Sequence, residues 1–187
     1  KALIRNELMP WRIASLLSSS VDAPFRIGTA ILSSSPATHT VNRFTDFKFI
    51  ENDQINLLKS GSQWYGDIYD VQTAFNYSFS FPNLASDSAI IRTKVIGKSA
   101  VSATYFNVSS SSSSLNLTIP ASGTGYYSVA GKAVIGEQKV MPNLSNSIPV
   151  AINYVKTSSP SSKGYLDFIE VNARRELIVS ENDMIFA

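Results

Sequence analysis

Val71-Gln72-Thr73-Ala74-Phe75-Asn76-Tyr77-Ser78-Phe79-Ser80-Phe81 alternates without a break. Its odd positions are Val, Thr, Phe, Tyr, Phe and Phe, and its even positions Gln, Ala, Asn, Ser and Ser. Successive side chains of an extended chain point to opposite faces. The pattern therefore makes one dry face and one wet one, the mark of an antiparallel strand lying on a core. Pro82 and Asn83 end it, since proline cannot donate to a ladder.

The same period recurs along the chain. Ala89, Ile91, Thr93 and Val95 share one side of a segment ending at Gly97, while Arg92, Lys94 and Lys98 share the other with Ile90 and Ile96. Leu115, Leu117 and Ile119 alternate with Asn116 and Thr118, and Ile148, Val150, Ile152 and Tyr154 alternate with smaller or polar neighbours. Further strands are expected near residues 11–17, 25–32, 44–51 and 126–135. No segment keeps a 3.6-residue apolar period for three turns, so no long helix is expected. Short strands separated by Ser, Pro, Gly and Asn clusters read as an all-β antiparallel sandwich. The serine runs at 109–114 and 158–162 are expected to be mobile connections, because serines bury little and compete for backbone bonds. Strands of one kind flank both runs, which makes residues 1–187 a single domain, with 1–43 as either part of it or an N-terminal addition.

The segment from Tyr165 to Val179 poses a problem. Its even positions Glu170, Asn172, Arg174 and Glu176 are plainly wet. Its odd positions are apolar in the middle but carry Asp167 near one end and Arg175 near the other. Eight strand residues span roughly 26 Å, so these two charges cannot meet. Each needs its own partner or a place at a strand end, because an unpaired buried charge is costly.

Composition excludes several chemistries. The chain of 187 residues has 16 Lys and Arg against 14 Asp and Glu, and only 16% of its residues are charged. About 25% is usual in soluble domains; about 30 serines fill the gap here. A net charge of +2 with no basic cluster does not support nucleic-acid binding. Without cysteine there is no disulfide, thiolate nucleophile or cysteine-type zinc site. A single histidine, His39, leaves no multi-histidine metal centre and no evident catalytic triad. The chain starts at Lys1 with no signal-peptide pattern and no transmembrane-length apolar run, which suggests a processed or excised piece. Its Ser/Thr/Asn-rich, Lys-poor make-up resembles exported bacterial surface proteins. N-x-S/T tripeptides at Asn76, Asn107, Asn116 and Asn143 are given no weight in so serine-rich a chain.

Three stretches carry a family resemblance. Ser60-Gly61-Ser62-Gln63-Trp64-Tyr65-Gly66-Asp67 leads into the alternating strand that closes with Phe79-Ser80-Phe81-Pro82-Asn83-Leu84. Lys163-Gly164-Tyr165-Leu166-Asp167-Phe168-Ile169-Glu170-Val171-Asn172-Ala173-Arg174-Arg175-Glu176-Leu177 follows, and then Asn182-Asp183-Met184-Ile185-Phe186. From about Phe44 onward, in order, this resembles the β-sandwich region preceding the peptidase domain of PorU-like proteins, the gingipain-related type IX secretion sortases of Bacteroidetes. The family pattern has Glu where this chain has Asp67, and favours Trp and Tyr where it has Tyr165 and Phe168. The resemblance implies a non-catalytic accessory domain at the outer membrane or cell surface, with a cysteine peptidase domain expected beyond Ala187. Implied partners are that peptidase domain, secreted cargo and other secretion components. No catalytic residue carries over, because the chain has no cysteine.

Trp64, Tyr65, Asp67 and Tyr69 lie where a Ser/Gly-rich loop enters a strand. Aromatic faces beside a carboxylate would suit a sugar platform; equally, Trp64 would plug one end of the sandwich or meet a neighbouring domain, with Gly66 allowing a bulge or tight turn. Asp167 resembles an Asp in the last strand of galactose-binding-like jelly rolls, some of which hold a structural calcium. Such an ion needs six to eight oxygens, with Glu51, Asp53 and Glu170 as other acids available. Arg174 and Arg175 sit near the expected junction with the peptidase and are candidates for an interdomain contact, against ordinary surface pairing. No cofactor is otherwise expected. The reading is a jelly-roll-like accessory domain of a PorU-like peptidase; the alternative is a carbohydrate-binding module of an exported bacterial protein.

Overall fold

The computed structural model describes residues 41–59, 61, 63–111, 113–143 and 146–178. Among these the strands are β1 (Arg43–Glu51), β2 (Ile68–Tyr69), β3 (Ala74–Ser80), β4 (Ala89–Lys98), β5 (Thr104–Ser110), β6 (Ser113–Ile119), β7 (Lys132–Val140), β8 (Ser147–Val155) and β9 (Lys163–Glu176). One sheet runs β1-β9-β4-β7, with β2 also on β9, and the other runs β3-β8-β5-β6. Every pairing is antiparallel. The fold is the all-β sandwich that the alternation implies, and its strand order is that of a jelly roll. No helix of the described residues is long and apolar enough to cross a membrane.

The core lies between the sheets. Phe79, Phe81, Ile91, Val95, Phe106, Val108, Leu117, Ile119, Ile148, Ile152, Ile169 and Val171 are buried there. Most come from the alternating positions of strands already legible in the sequence, because a half-buried strand must put its apolar residues on one face. Gly164 of β9 is also set by packing: a methyl group there would overlap the Phe106 ring and come within 3.0 Å of Tyr154 Cδ2.

Several expectations are corrected. Val71, read as the start of a core face, is 99% exposed, because the regular strand begins only at Ala74. Residues 126–130 form a 3-10 turn rather than a strand, and the strand follows at β7. The first serine run is built into a hairpin: Ser109 and Ser110 pair with Ser114 and Ser113. The second is a pinned turn rather than a mobile tip, with Ser159 and Ser162 buried, Ser162 N–H donating to the Ser159 carbonyl at 2.9 Å, and Lys156 Nζ donating to the Pro160 carbonyl at 3.1 Å. β5 shows no clean alternation because its inward positions include the polar Thr104 and Ser110. The strands expected near 11–17 and 25–32, and His39, lie outside the described residues.

The problem posed by β9 is solved by a register shift. Lys94 of β4 faces Phe168, but the next residue, Val95, faces Leu166. Asp167 is thus an extra residue in β9, and an inserted residue exchanges the faces beyond it. Ile169, Val171 and Ala173 face the main core on one side of the bulge; Leu166 does so on the other. Tyr165 turns outward. It joins Ile96 and Tyr65, with Ile55 and Leu57 against them, in a small separate cluster. The chain between β1 and β2 folds back to cover this patch, tied by Ile55–Tyr65 backbone bonds of 2.9 and 2.8 Å and by Gly66 N–H to the Leu166 carbonyl at 2.7 Å.

Candidate functional site

Trp64, Tyr65, Asp67 and Tyr69 do not share one surface. The Ile55–Tyr65 bridge makes the chain locally extended, so adjacent side chains diverge. Trp64 points outward and is 43% exposed, whereas Tyr65 is buried against Tyr165, ring centroids 6.1 Å apart. The plug expected of Trp64 is therefore supplied by Tyr65, on the outer side of a sheet rather than at one end. Gly66 accommodates close approach instead of a positive φ: a Cβ there would lie 2.9 Å from the Asn52 carbonyl oxygen.

Tyr69 is fully buried in the main core, edge-on to Phe75 at 4.7 Å and Phe106 at 5.1 Å. Its hydroxyl lies 3.0 Å from that of Tyr77, which donates to Asp67 Oδ2 at 2.7 Å. Tyr77 has one proton to give, so Tyr69 is the donor to Tyr77. The chain Tyr69–Tyr77–Asp67 satisfies two phenols that would otherwise be desolvated without partners. Burial raises the pKa of both tyrosines above the usual phenol range; at Tyr77 the hydrogen bonds to Tyr69 and Asp67 raise it further. This arrangement ties the Asp67 carboxylate to the core tyrosines through Tyr77.

Asp167 does not fit a calcium site. Its Oδ2 lies 2.6 Å from Lys94 Nζ, so an ammonium already neutralises it. Among the described residues no three His, Cys, Asp or Glu side chains converge. Glu170, another of the acids considered, accepts from Asn172 Nδ2 at 2.6 Å.

Arg175 is committed within the domain. It donates through NH1 to Asp46 Oδ2 at 2.8 Å and through Nε to the Pro82 carbonyl at 2.6 Å, and its guanidinium lies 5.2 Å from the Phe44 ring centroid. Arg174 is the freer of the two: its side chain is 51% exposed, with Asp87 Oδ2 at 3.5 Å from Nε. Asp87 also receives Arg43 NH1 at 3.1 Å, and Arg43 Nε bonds Glu176 at 2.7 Å, so the end of β9 is held by a charged network.

Two further groupings lie outside the candidate residues, and the first has no signal in the sequence. Asp70 bonds Lys156 at 2.8 Å and Lys163 at 2.7 Å, and the hydrogen bond from Lys156, followed by that from Lys163, lowers its pKa. Lys156 is 86 residues away in the chain. Phe47 and Phe49 stack 6.2 Å apart on the outward side of edge strand β1, both well exposed. Alternation could have exposed that pair, since Phe47 and Phe49 share a face that Ile50 does not.

No protein-family model matches the chain, and no curated protein sequence does so. The fold is similar to part of the dimeric latent PorU of Porphyromonas gingivalis, with TM-score 0.62 and 19% identity over 77% of this chain and 14% of that one. The chain thus spans about one seventh of that structure's length. A carbohydrate-binding module CBM36 in complex with calcium and xylotriose is matched at TM-score 0.36 and 15% identity, over 66% of this chain and 98% of that one. TmCBM61 in complex with beta-1,4-galactotriose is matched at TM-score 0.39 and 10% identity, over 69% of this chain and 86% of that one. At these identities the likeness is one of fold.

Proposed function

We propose that this β-sandwich is a non-catalytic accessory domain of a PorU-like cell-surface cysteine peptidase. It packs on or orients the peptidase domain and presents secreted cargo to it. The observation that carries this reading is the agreement of fold with one seventh of a PorU chain over 77% of the present one. The order of the Trp64, Phe79 and Arg174 motifs supports it independently. Export to the outer membrane or cell surface belongs to the same proposal.

The surface suits a packing role. Phe47 and Phe49 form an exposed aromatic pair on an edge strand, and Arg174 stands half-exposed on the neighbouring β9. Aromatic and Arg side chains together are favoured at protein interfaces. The test is the coding sequence beyond Ala187. A gingipain-like domain with catalytic Cys and His is the expected result; a stop codon overturns the reading.

Trp64 favours a second reading, a carbohydrate-binding module. Its exposed indole on a surface loop is of the kind that stacks on sugar rings. A glycan array probed with the isolated chain separates the two: binding lost on Trp64→Ala supports the module.

A further inference from the structure

Charge is divided unevenly between the sheets. Strands β3, β5, β6 and β8 contain no Asp, Glu, Lys or Arg. Strands β1, β4, β7 and β9 each carry several. The outward face of the four-stranded sheet is therefore built from Asn, Ser, Thr, Ala, Pro, Val and one Tyr.

Register orders these groups into rows. Asn153 faces Asn107 across β8 and β5, and Asn107 faces Asn116 across β5 and β6. Neighbouring strands lie about 4.8 Å apart, so the three amides form a line crossing the strands. Beside it runs Asn76, Ala151, Ser109 and Ser114, a shelf of small residues. On the other side Tyr105 stands between Val155 and Thr118. The N-x-S/T tripeptides at Asn76, Asn107 and Asn116 have a plain cause here: residues two apart in a strand share a face, so each amide has a hydroxyl on its own side.

Among the described residues Asn76, Asn107, Asn116 and Asn153 take no side-chain hydrogen-bond partner within the chain. On the charged sheet, by contrast, Asn172 is held by Glu170.

We propose that the outer face of the β3-β8-β5-β6 sheet binds a neutral polysaccharide. An amide both donates and accepts, as a sugar hydroxyl does. A face with this capacity and no field complements a ligand rich in hydroxyls and without charge. Nucleic acid and anionic membranes require basic residues that the face lacks. Protein interfaces concentrate aromatic, Met and Arg side chains; this face has Tyr105 alone, whereas Phe47, Phe49 and Arg174 are on the opposite sheet. Asn107, Asn116 and Asn153 provide the line of contacts, and the partly exposed Tyr105 ring an apolar edge. The site shares no residue with the Trp64 loop or with the Phe47 and Arg174 surface, so its failure leaves the accessory-domain reading untouched.

The test is native gel electrophoresis of the 187-residue chain through soluble xyloglucan, galactomannan, arabinoxylan and mixed-linkage β-glucan, with polygalacturonate as the charged comparison. One or more neutral gels should retard the protein. Loss of two amide contacts in the Asn107→Ala, Asn116→Ala double variant should weaken retardation about tenfold. Thermal melting checks the fold of the double variant; if it is unfolded, Asn116→Asp on the exposed edge strand puts a charge on the face and should give the same loss. Retardation by no neutral gel, undiminished retardation of a folded variant, or equal retardation by polygalacturonate overturns the proposal.

Discussion

Lys94 Nζ lies 2.6 Å from Asp167 Oδ2, at the point where β9 carries one residue more than its partner β4. The bulge and the ion pair explain each other. The extra residue releases Tyr165 from the core side and brings Leu166 into it, and the lysine neutralises the carboxylate that the bulge exposes to the outer face. The Asp167 side chain is only 10% exposed against 36% for Lys94, so the carboxylate depends on the lysine more than the reverse.

Lys94→Met is therefore expected to destabilise the fold by about 1–3 kcal/mol, the cost of leaving a mostly buried polar group unsatisfied. Asp167→Asn should cost less, because an amide needs no counter-charge. Urea denaturation of both variants and of the double variant measures the coupling. A Lys94→Met loss no larger than that of Asp167→Asn would contradict the assignment.

The Tyr69–Tyr77–Asp67 chain makes a prediction in alkali. Both tyrosines have their pKa raised in the fold above the ordinary value of 10.0. Their neutral forms contribute stability that is fully present below that ordinary value. It is lost as pH rises above it, because the unfolded chain releases phenol protons that the fold retains. Stability should thus fall above pH 10, with tyrosinate absorbance of these two appearing only on unfolding. Tyr77→Phe should make the fall shallower, and tyrosinate appearing at Tyr69 and Tyr77 in the folded protein near pH 10 would refute the buried network.

Gly164→Ala places a methyl group into the Phe106 ring. Overpacking of this kind costs about 1–3 kcal/mol. Gly125→Ala is the control: no atom lies within 4 Å of its added Cβ, and its φ of −67° is ordinary for any residue. A melt in which the two variants are equal would show that the sheets do not approach as closely at Gly164 as described.

Adjacent residues Trp64 and Tyr65 should respond oppositely to truncation. Trp64→Ala, at an exposed site, is expected to change stability by less than about 0.5 kcal/mol. Tyr65→Ala empties the small cluster with Ile96 and Tyr165 and should cost about 3 kcal/mol, as for large aromatic truncations. Thermal melts of the two variants give the comparison directly.

Much of the fold was legible in particular residues. The alternation through Phe75, Tyr77, Phe79 and Phe81 identified a strand and its core face, and Ile148 to Tyr154 did the same. Thr104 and Ser110 hid β5, because a polar residue on an inward position looks like a break in the pattern. The candidate site was less legible. Trp64, Tyr65, Asp67 and Tyr69 are close in sequence, but side-chain direction separates them into a surface indole, a minor cluster, a hydrogen-bonded carboxylate and a core ring.

What the sequence by itself determined is everything that depends on the two-residue period: the all-β class, the wet and dry faces, and the want of charge in the segments that became β3, β5, β6 and β8. That period is a property of the extended L-peptide chain and needs no partner. Which strands became neighbours was decided only by the tertiary structure, and with it the Lys156–Asp70 pair, the Arg175–Asp46 pair and the line of Asn153, Asn107 and Asn116. The shift at Asp167 belongs to the same class. One inserted residue exchanges the faces of a strand, and whether a strand carries one is settled by the packing of its neighbours.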